Sequence, residues 1–159
     1  MRMQGHRSII SCCAVSRDKR WIVTADAGAE SIIVVWDSLA GVPMKTIAGT
    51  HSRGVVSIDF SSDALYIAAL TGFAIDTPQE VCLFEWSRED SDQPLLREQT
   101  MTSDAQHTVK FNVADHSELT TTGNRSVSFW NWDSMHLEGY VASHPPNVRA
   151  NFTCECSCR

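Results

Sequence analysis

A block of strand-like sequence returns at a fixed interval in this 159-residue chain, and that recurrence limits its possible folds more than any other feature. Ala14-Val15-Ser16-Arg17-Asp18, followed by Trp21-Ile22-Val23-Thr24, is answered by Asp59-Phe60-Ser61-Ser62-Asp63, followed by Tyr66-Ile67-Ala68-Ala69. Val15 to Phe60, Asp18 to Asp63 and Trp21 to Tyr66 are each 45 positions. A third copy holds Lys110-Phe111-Asn112-Val113-Ala114-Asp115 and then Leu119-Thr120-Thr121, with Phe111 lying 51 positions after Phe60. Each copy reads as an apolar strand, a tight polar turn containing Asp, and a second strand entered through a large apolar residue. Such a unit cannot bury its apolar faces alone and stacks on copies of itself.

Two landmarks bracket the copies. A histidine precedes each first strand (His6, His51, His107) and a tryptophan closes each third one (Trp36, Trp86, Trp132). The gaps between them are 30, 35 and 25 residues, with the variation falling where turns are expected. The first copy runs from Gly5-His6 to Trp36-Asp37, which resembles the G-H…W-D signature of the WD repeat. The later copies are degenerate: Thr50-His51 with Trp86-Ser87, then Gln106-His107 with Trp132-Asp133. Residues 32–36 are β-branched and end in an aromatic, which suits a strand buried on both faces, and residues 81–86 and 127–132 hold the same place. The expected fold is all-β: a partial WD40 β-propeller of about three four-stranded blades, at residues 5–49, 50–104 and 105–143. Residues 144–159 are read as a tail or the start of a further blade strand, with Phe152, Cys154, Cys156 and Cys158 alternating onto one face. Propellers close with roughly 4–8 blades, so three would leave sheet faces that other chain segments must cover.

His6, Thr24, Trp36, Asp37, His51, Asp63, Trp86, His107, Trp132 and Asp133 are assigned to the hydrogen-bonded framework of these blades. His beside a hydroxyl and an acid also fits a catalytic triad, but the repeated placement favours a network that satisfies buried polar groups. For the first blade, Asp26 and Glu30 both remain open as the acid.

Beyond the repeat signature, the segments 5–12, 16–26 and 33–43, with Val81-Cys82-Leu83-Phe84-Glu85-Trp86 and Thr108-Val109-Lys110-Phe111-Asn112, resemble a WD-repeat family of cilia- and flagella-associated proteins in the calmodulin- and spoke-associated complex. The resemblance spans about residues 5–133. It implies a structural role in the axoneme, at a radial-spoke base on the doublet microtubule, with spoke and complex subunits as partners. Some members carry a calcium-binding helix-loop-helix, but no D-x-[DN]-x-[DN]-G run occurs here, so calcium binding is not carried over.

Composition narrows the alternatives. A net charge of −6 without a Lys/Arg cluster argues against binding nucleic acid or an anionic membrane surface. No apolar run approaches the roughly 20 residues of a membrane span, and the N-terminus lacks a signal-peptide core, so the expected compartment is the cytoplasm, with its cytoskeleton and cilium. No C-x-x-C pair, H-E-x-x-H, nucleophile elbow or phosphate loop is present, and the expectation is a non-enzyme with no cofactor and no metal. Three thiols in a C-x-C-x-C tail could ligate zinc or copper, but a clear fourth ligand is missing. The rival to the axonemal scaffold is a soluble cytosolic WD40 adaptor, such as a ubiquitin-ligase substrate receptor or signalling scaffold. Partner contact is expected from the loops at 71–80 and 87–102, the latter carrying Arg88 and Arg97.

Overall fold

The computed structural model describes residues 5–51, 53–89 and 92–143; the side chains of residues 49–51 and 143 also lie outside the description. Twelve strands and no helix occur among the described residues. They form three antiparallel four-stranded meanders. Blade one holds β1 (Ile10–Val15), β2 (Trp21–Asp26), β3 (Ser31–Asp37) and β4 (Val42–His51). Blade two holds β5 (Val55–Phe60), β6 (Tyr66–Thr71), β7 (Glu80–Glu85) and β8 (Leu96–Gln99). Blade three holds β9 (Gln106–Phe111), β10 (Glu118–Gly123), β11 (Ser126–Trp132) and β12 (Leu137–Ser143). This is the partial propeller expected from the repeat. The tail at 144–159, with its cysteines, lies outside the described residues.

Sequence pattern explains which strands are enclosed. In β3 and β7 nearly every residue is buried, as expected of β-branched and apolar runs sandwiched between two layers. β11 instead alternates buried and accessible residues, because its second face is open. The blades stack through their first strands, with β1 beside β5 and β5 beside β9. One core lies between blades one and two: Val23, Ala25, Ile33, Val35 and Ile47 meet Ile58, Phe60, Ile67, Cys82 and Phe84. A second joins Ala68, Leu70, Val81 and Leu83 of blade two to Val109, Phe111, Leu119, Trp130 and Leu137 of blade three. Each fully buried Leu, Ile or Phe stabilises this stack by about 1.5–3 kcal/mol.

Polar bonds fix the stacking register. The Ser11 hydroxyl donates to the Val55 carbonyl. The Val109 N–H donates to Ser57 Oγ (3.0 Å) and the Phe111 N–H to Asp59 Oδ2 (3.0 Å), while Lys110 Nζ reaches Asp59 Oδ1 at 3.3 Å. Burial pushes the Asp59 carboxyl above the usual aspartate range, against the pull of Lys110 and of the Phe111 N–H.

The first hairpin turn is one device used twice. Asp18 accepts from the Ser16 hydroxyl and the Arg20 N–H; Asp63 accepts from the Ser61 hydroxyl and the Leu65 N–H. In blade three the connection between Phe111 and Leu119 is one residue longer, and there Asp115 accepts from Ser117. Strand register pairs Ile22, Ile67 and Leu119 with equivalent partners, so Leu119 corresponds to Ile22 and not to Trp21.

Candidate functional site

Blade one contains a complete polar relay. The Trp36 Nε1–H donates to Thr24 Oγ1 at 2.8 Å, Thr24 Oγ1 lies 2.7 Å from His6 Nε2, and His6 Nδ1 lies 3.0 Å from Asp26 Oδ2. A proton on Nδ1 lets every member donate in one direction, from Trp36 through Thr24 and His6 to Asp26. The side chains of His6 and Asp26 are only 6% and 1% exposed. Asp26 is therefore the acid that the sequence left open; Glu30 is exposed in the following turn. Asp26 Oδ1 also accepts from the Ile32 N–H at 3.2 Å, tying the relay to the start of β3. The Thr24 hydroxyl, which a triad reading would make the nucleophile, is already engaged on both sides.

Register across the sheets corrects the other tryptophans. Trp36 pairs with Ile22, Phe84 with Ile67, and Trp130 with Leu119, so Phe84 and Trp130 are the counterparts of Trp36. Trp86 and Trp132 stand two residues later and do different work. Their Nε1–H groups donate to the carbonyls of Ala64 and His116, each at 2.7 Å, in the first hairpin turn of their blades. Blade one makes the same link with Ser38, whose hydroxyl donates to the Lys19 carbonyl at 2.7 Å. Residues two apart share a strand face, which is why a pattern match alone slips by one such step.

The relay thins out along the chain. In blade two the Thr24 position is Ala69 and the Trp36 position is Phe84, so neither the hydroxyl nor the indole is present. The backbone of His51 pairs with Ser31, and its side chain lies outside the described residues. In blade three Trp130 Nε1 still donates to Thr121 Oγ1 at 3.1 Å, but His107 is exposed and bonds Asn124 at 3.1 Å, so it is not a relay member. Asp133 likewise is not the counterpart of Asp37, since Asn131 occupies that register position. Both aspartates nevertheless cap the turn after a third strand, Asp37 accepting from Leu39 and Ala40 and Asp133 from Met135 and His136. The Ala40 N–H first, with the Leu39 N–H and Arg20 adding to it, holds the Asp37 carboxyl below the usual range against the cost of desolvation.

One need is met three ways. Near the start of each third strand, at equivalent register, a backbone N–H takes a side-chain acceptor. Asp26 Oδ1 serves Ile32, Thr71 Oγ1 serves Glu80 (2.7 Å), and Asp104 Oδ2 serves Ser126 (3.0 Å). Asp104 comes from the loop before β9, and its carboxylate reaches in because Gly123 is bare: a Cβ there would stand 2.5 Å from Asp104 Oδ2. A buried amide pair adds to this seam, with Gln79 Nε2 donating to the carbonyls of Thr71 and Gln106, and the Gln106 N–H returning to Gln79 Oε1. Sequence reasoning named Gln106 only as the degenerate counterpart of Gly5, and it missed Asp104 and Gln79, which stand at no fixed place in the repeat.

The two predicted contact loops are braced. Arg53 donates to the carbonyls of Thr77 (2.9 Å) and Pro78 (2.7 Å), while Phe73 and Ile75 project from the same loop with 48% and 91% exposure. In the second loop Lys45 Nζ binds the carbonyls of Arg88 and Glu89, Arg88 lies 3.7 Å from Glu85, and Arg97 lies 3.9 Å from Glu80.

The aromatic side chains gather at the seams. Trp21 and Trp86 meet edge-on with centroids 5.1 Å apart, and Tyr66 and Trp132 repeat that pair at 4.8 Å.

Comparison with known proteins adds ancestry. The sequence pattern of the CFAP251 N-terminal domain matches residues 1–153. Cilia- and flagella-associated protein 251 of Tetrahymena thermophila is 35% identical over 149 residues, covering 92% of this chain and 15% of the relative. The protein of the same name from Mus musculus is 33% identical over 146 residues, covering 91% of this chain and 11% of the relative. The chain thus spans only a small part of the length of these relatives. Among solved structures, the RRP9 WD40 repeats superpose with a TM-score of 0.71 at 22% identity, covering 94% of this chain and 42% of that one. The β-propeller domain of Myceliophteria_thermophila Cps50 (Swd1) gives 0.69 at 13% identity, with 91% and 41% covered. At those identities the likeness is one of fold.

Proposed function

Because the chain belongs to the CFAP251 N-terminal domain family, we propose that it acts as a non-enzymatic scaffold of the ciliary or flagellar axoneme. The match of residues 1–153 to that family carries the reading. The finer placement, at a radial-spoke base on the doublet microtubule among calmodulin- and spoke-associated subunits, rests on the sequence resemblance over about residues 5–133. The geometry is compatible with a scaffold: a rigid stack of strands, braced rim loops and open sheet faces are the parts with which repeat proteins hold partners. The polar relay serves the sheet, its hydroxyl engaged by Trp36 and His6.

Fractionation of isolated cilia tests the proposal. After mild detergent extraction the protein should sediment with the microtubules and co-fractionate with radial-spoke subunits. Release into the detergent-soluble fraction would overturn the scaffold reading and favour a soluble adaptor.

A further inference from the structure

The two seams between blades repeat one aromatic pair but differ at the position of Arg20. In the first, the Arg20 guanidinium lies over the Trp21 ring, 5.1 Å from its centroid, and its Nη2 sits 2.7 Å from Asp37 Oδ2. The strand register places Asp37 opposite Trp21. In the second seam the same register places Glu85 opposite Tyr66, so aromatic face and carboxylate recur. The position of Arg20, however, is taken by Leu65, which is 51% exposed. Beside the paired Tyr66 and Glu85 the surface opens into a pocket of about 330 Å³, lined also by Leu95, His116, Trp132 and Asp133.

The pocket has the chemistry of a cation site. Tyr66, Trp132 and His116 are clustered with centroids 4.8–6.1 Å apart, offering ring faces and edges at its wall. Glu85 and Asp133 line it, and Asp63 Oδ2 stands 3.8 Å from His116 Nδ1. Arg88 approaches Glu85 only to 3.7 Å, with both side chains substantially in solvent, a pairing that contributes little and is easily displaced. A guanidinium offered from outside would gain an aromatic face and a carboxylate together.

We propose that this pocket receives an arginine side chain of a partner protein, reproducing between molecules the contact that Arg20 makes within blade one. The inference stands on the internal repeat and is independent of the axonemal reading.

The 159-residue chain is titrated with N-acetyl-arginine amide while the Trp132 indole N–H is followed by NMR, with N-acetyl-citrulline amide as the neutral isostere. The arginine probe should shift that resonance saturably and the citrulline probe should not. Glu85→Gln, at a half-buried site where the amide fits, should keep the melting temperature and weaken arginine binding by about three- to fivefold. Leu65→Arg should supply the missing cation in cis and abolish probe binding. Equal binding of citrulline, an unmoved Trp132 resonance, or undiminished binding by Leu65→Arg would each overturn the proposal.

Discussion

Thr24 sits between two donor–acceptor partners, and its neighbours have no substitute for it. Replacing it with valine keeps the volume but leaves the Trp36 N–H and His6 Nε2 without their partner. An orphaned buried group costs about 1–3 kcal/mol, so Thr24→Val should destabilise the chain clearly in urea unfolding. Thr121→Val in blade three leaves only Trp130 Nε1 unpaired and should cost about half as much. Equal losses would mean that His6 contributes nothing to the relay. The members of this network were legible as types, since His, Thr and Trp stand at repeat positions. The choice of Asp26 over Glu30 was not, because it depends on which carboxylate lies inside the sheet.

At the level of the element, the 45-residue spacing made the strands and their hairpins legible, since three landmarks shifted together. Register was harder to read. Trp86 and Trp132 resemble Trp36 by identity, yet hydrogen-bond pairing gives that position to Phe84 and Trp130. Aromatic residues two apart on one strand face are interchangeable to a pattern and distinct to a ladder. The link between β5 and β9 was equally hidden, because nothing local announces that Asp59 will meet Lys110 and the Phe111 N–H. Its carboxyl titrates above the ordinary range, so the folded state holds that proton more tightly than the unfolded chain does. The stability linked to that proton is present below the unfolded pKa, near 3.8, and is lost as pH rises through the higher folded one. Asp59→Asn, which preserves an acceptor for Phe111, should therefore raise the melting temperature near neutral pH. That gain should disappear in acid. A variant less stable than the parent at neutral pH would show that the Lys110 contact outweighs desolvation.

Across the whole molecule, equivalent positions report where each stack ends. Ile58 and Phe60 are 2% and 6% exposed at the first seam, whereas Val15, the blade-one counterpart of Phe60, is 56% exposed. At the other end Val35 and Leu83 are fully buried, while Phe129 in the same register position is 39% exposed and stacks on Tyr140, itself 65% exposed. Blade three also carries Thr120 and Thr122 where blade two carries Ala68 and Leu70, so its outward face is more polar than either internal seam. The composition of the repeat predicted open faces in kind, but only the structure shows which side chains form them. Open apolar faces of this sort call for covering neighbours, whether further repeats or partner chains. Hydroxyl-radical footprinting of Tyr140 and Phe129 tests this most directly, comparing the purified 159-residue chain with the native assembly in isolated cilia. Both residues should oxidise readily in the isolated chain and be protected in the assembly; equal oxidation in the two states would contradict the account.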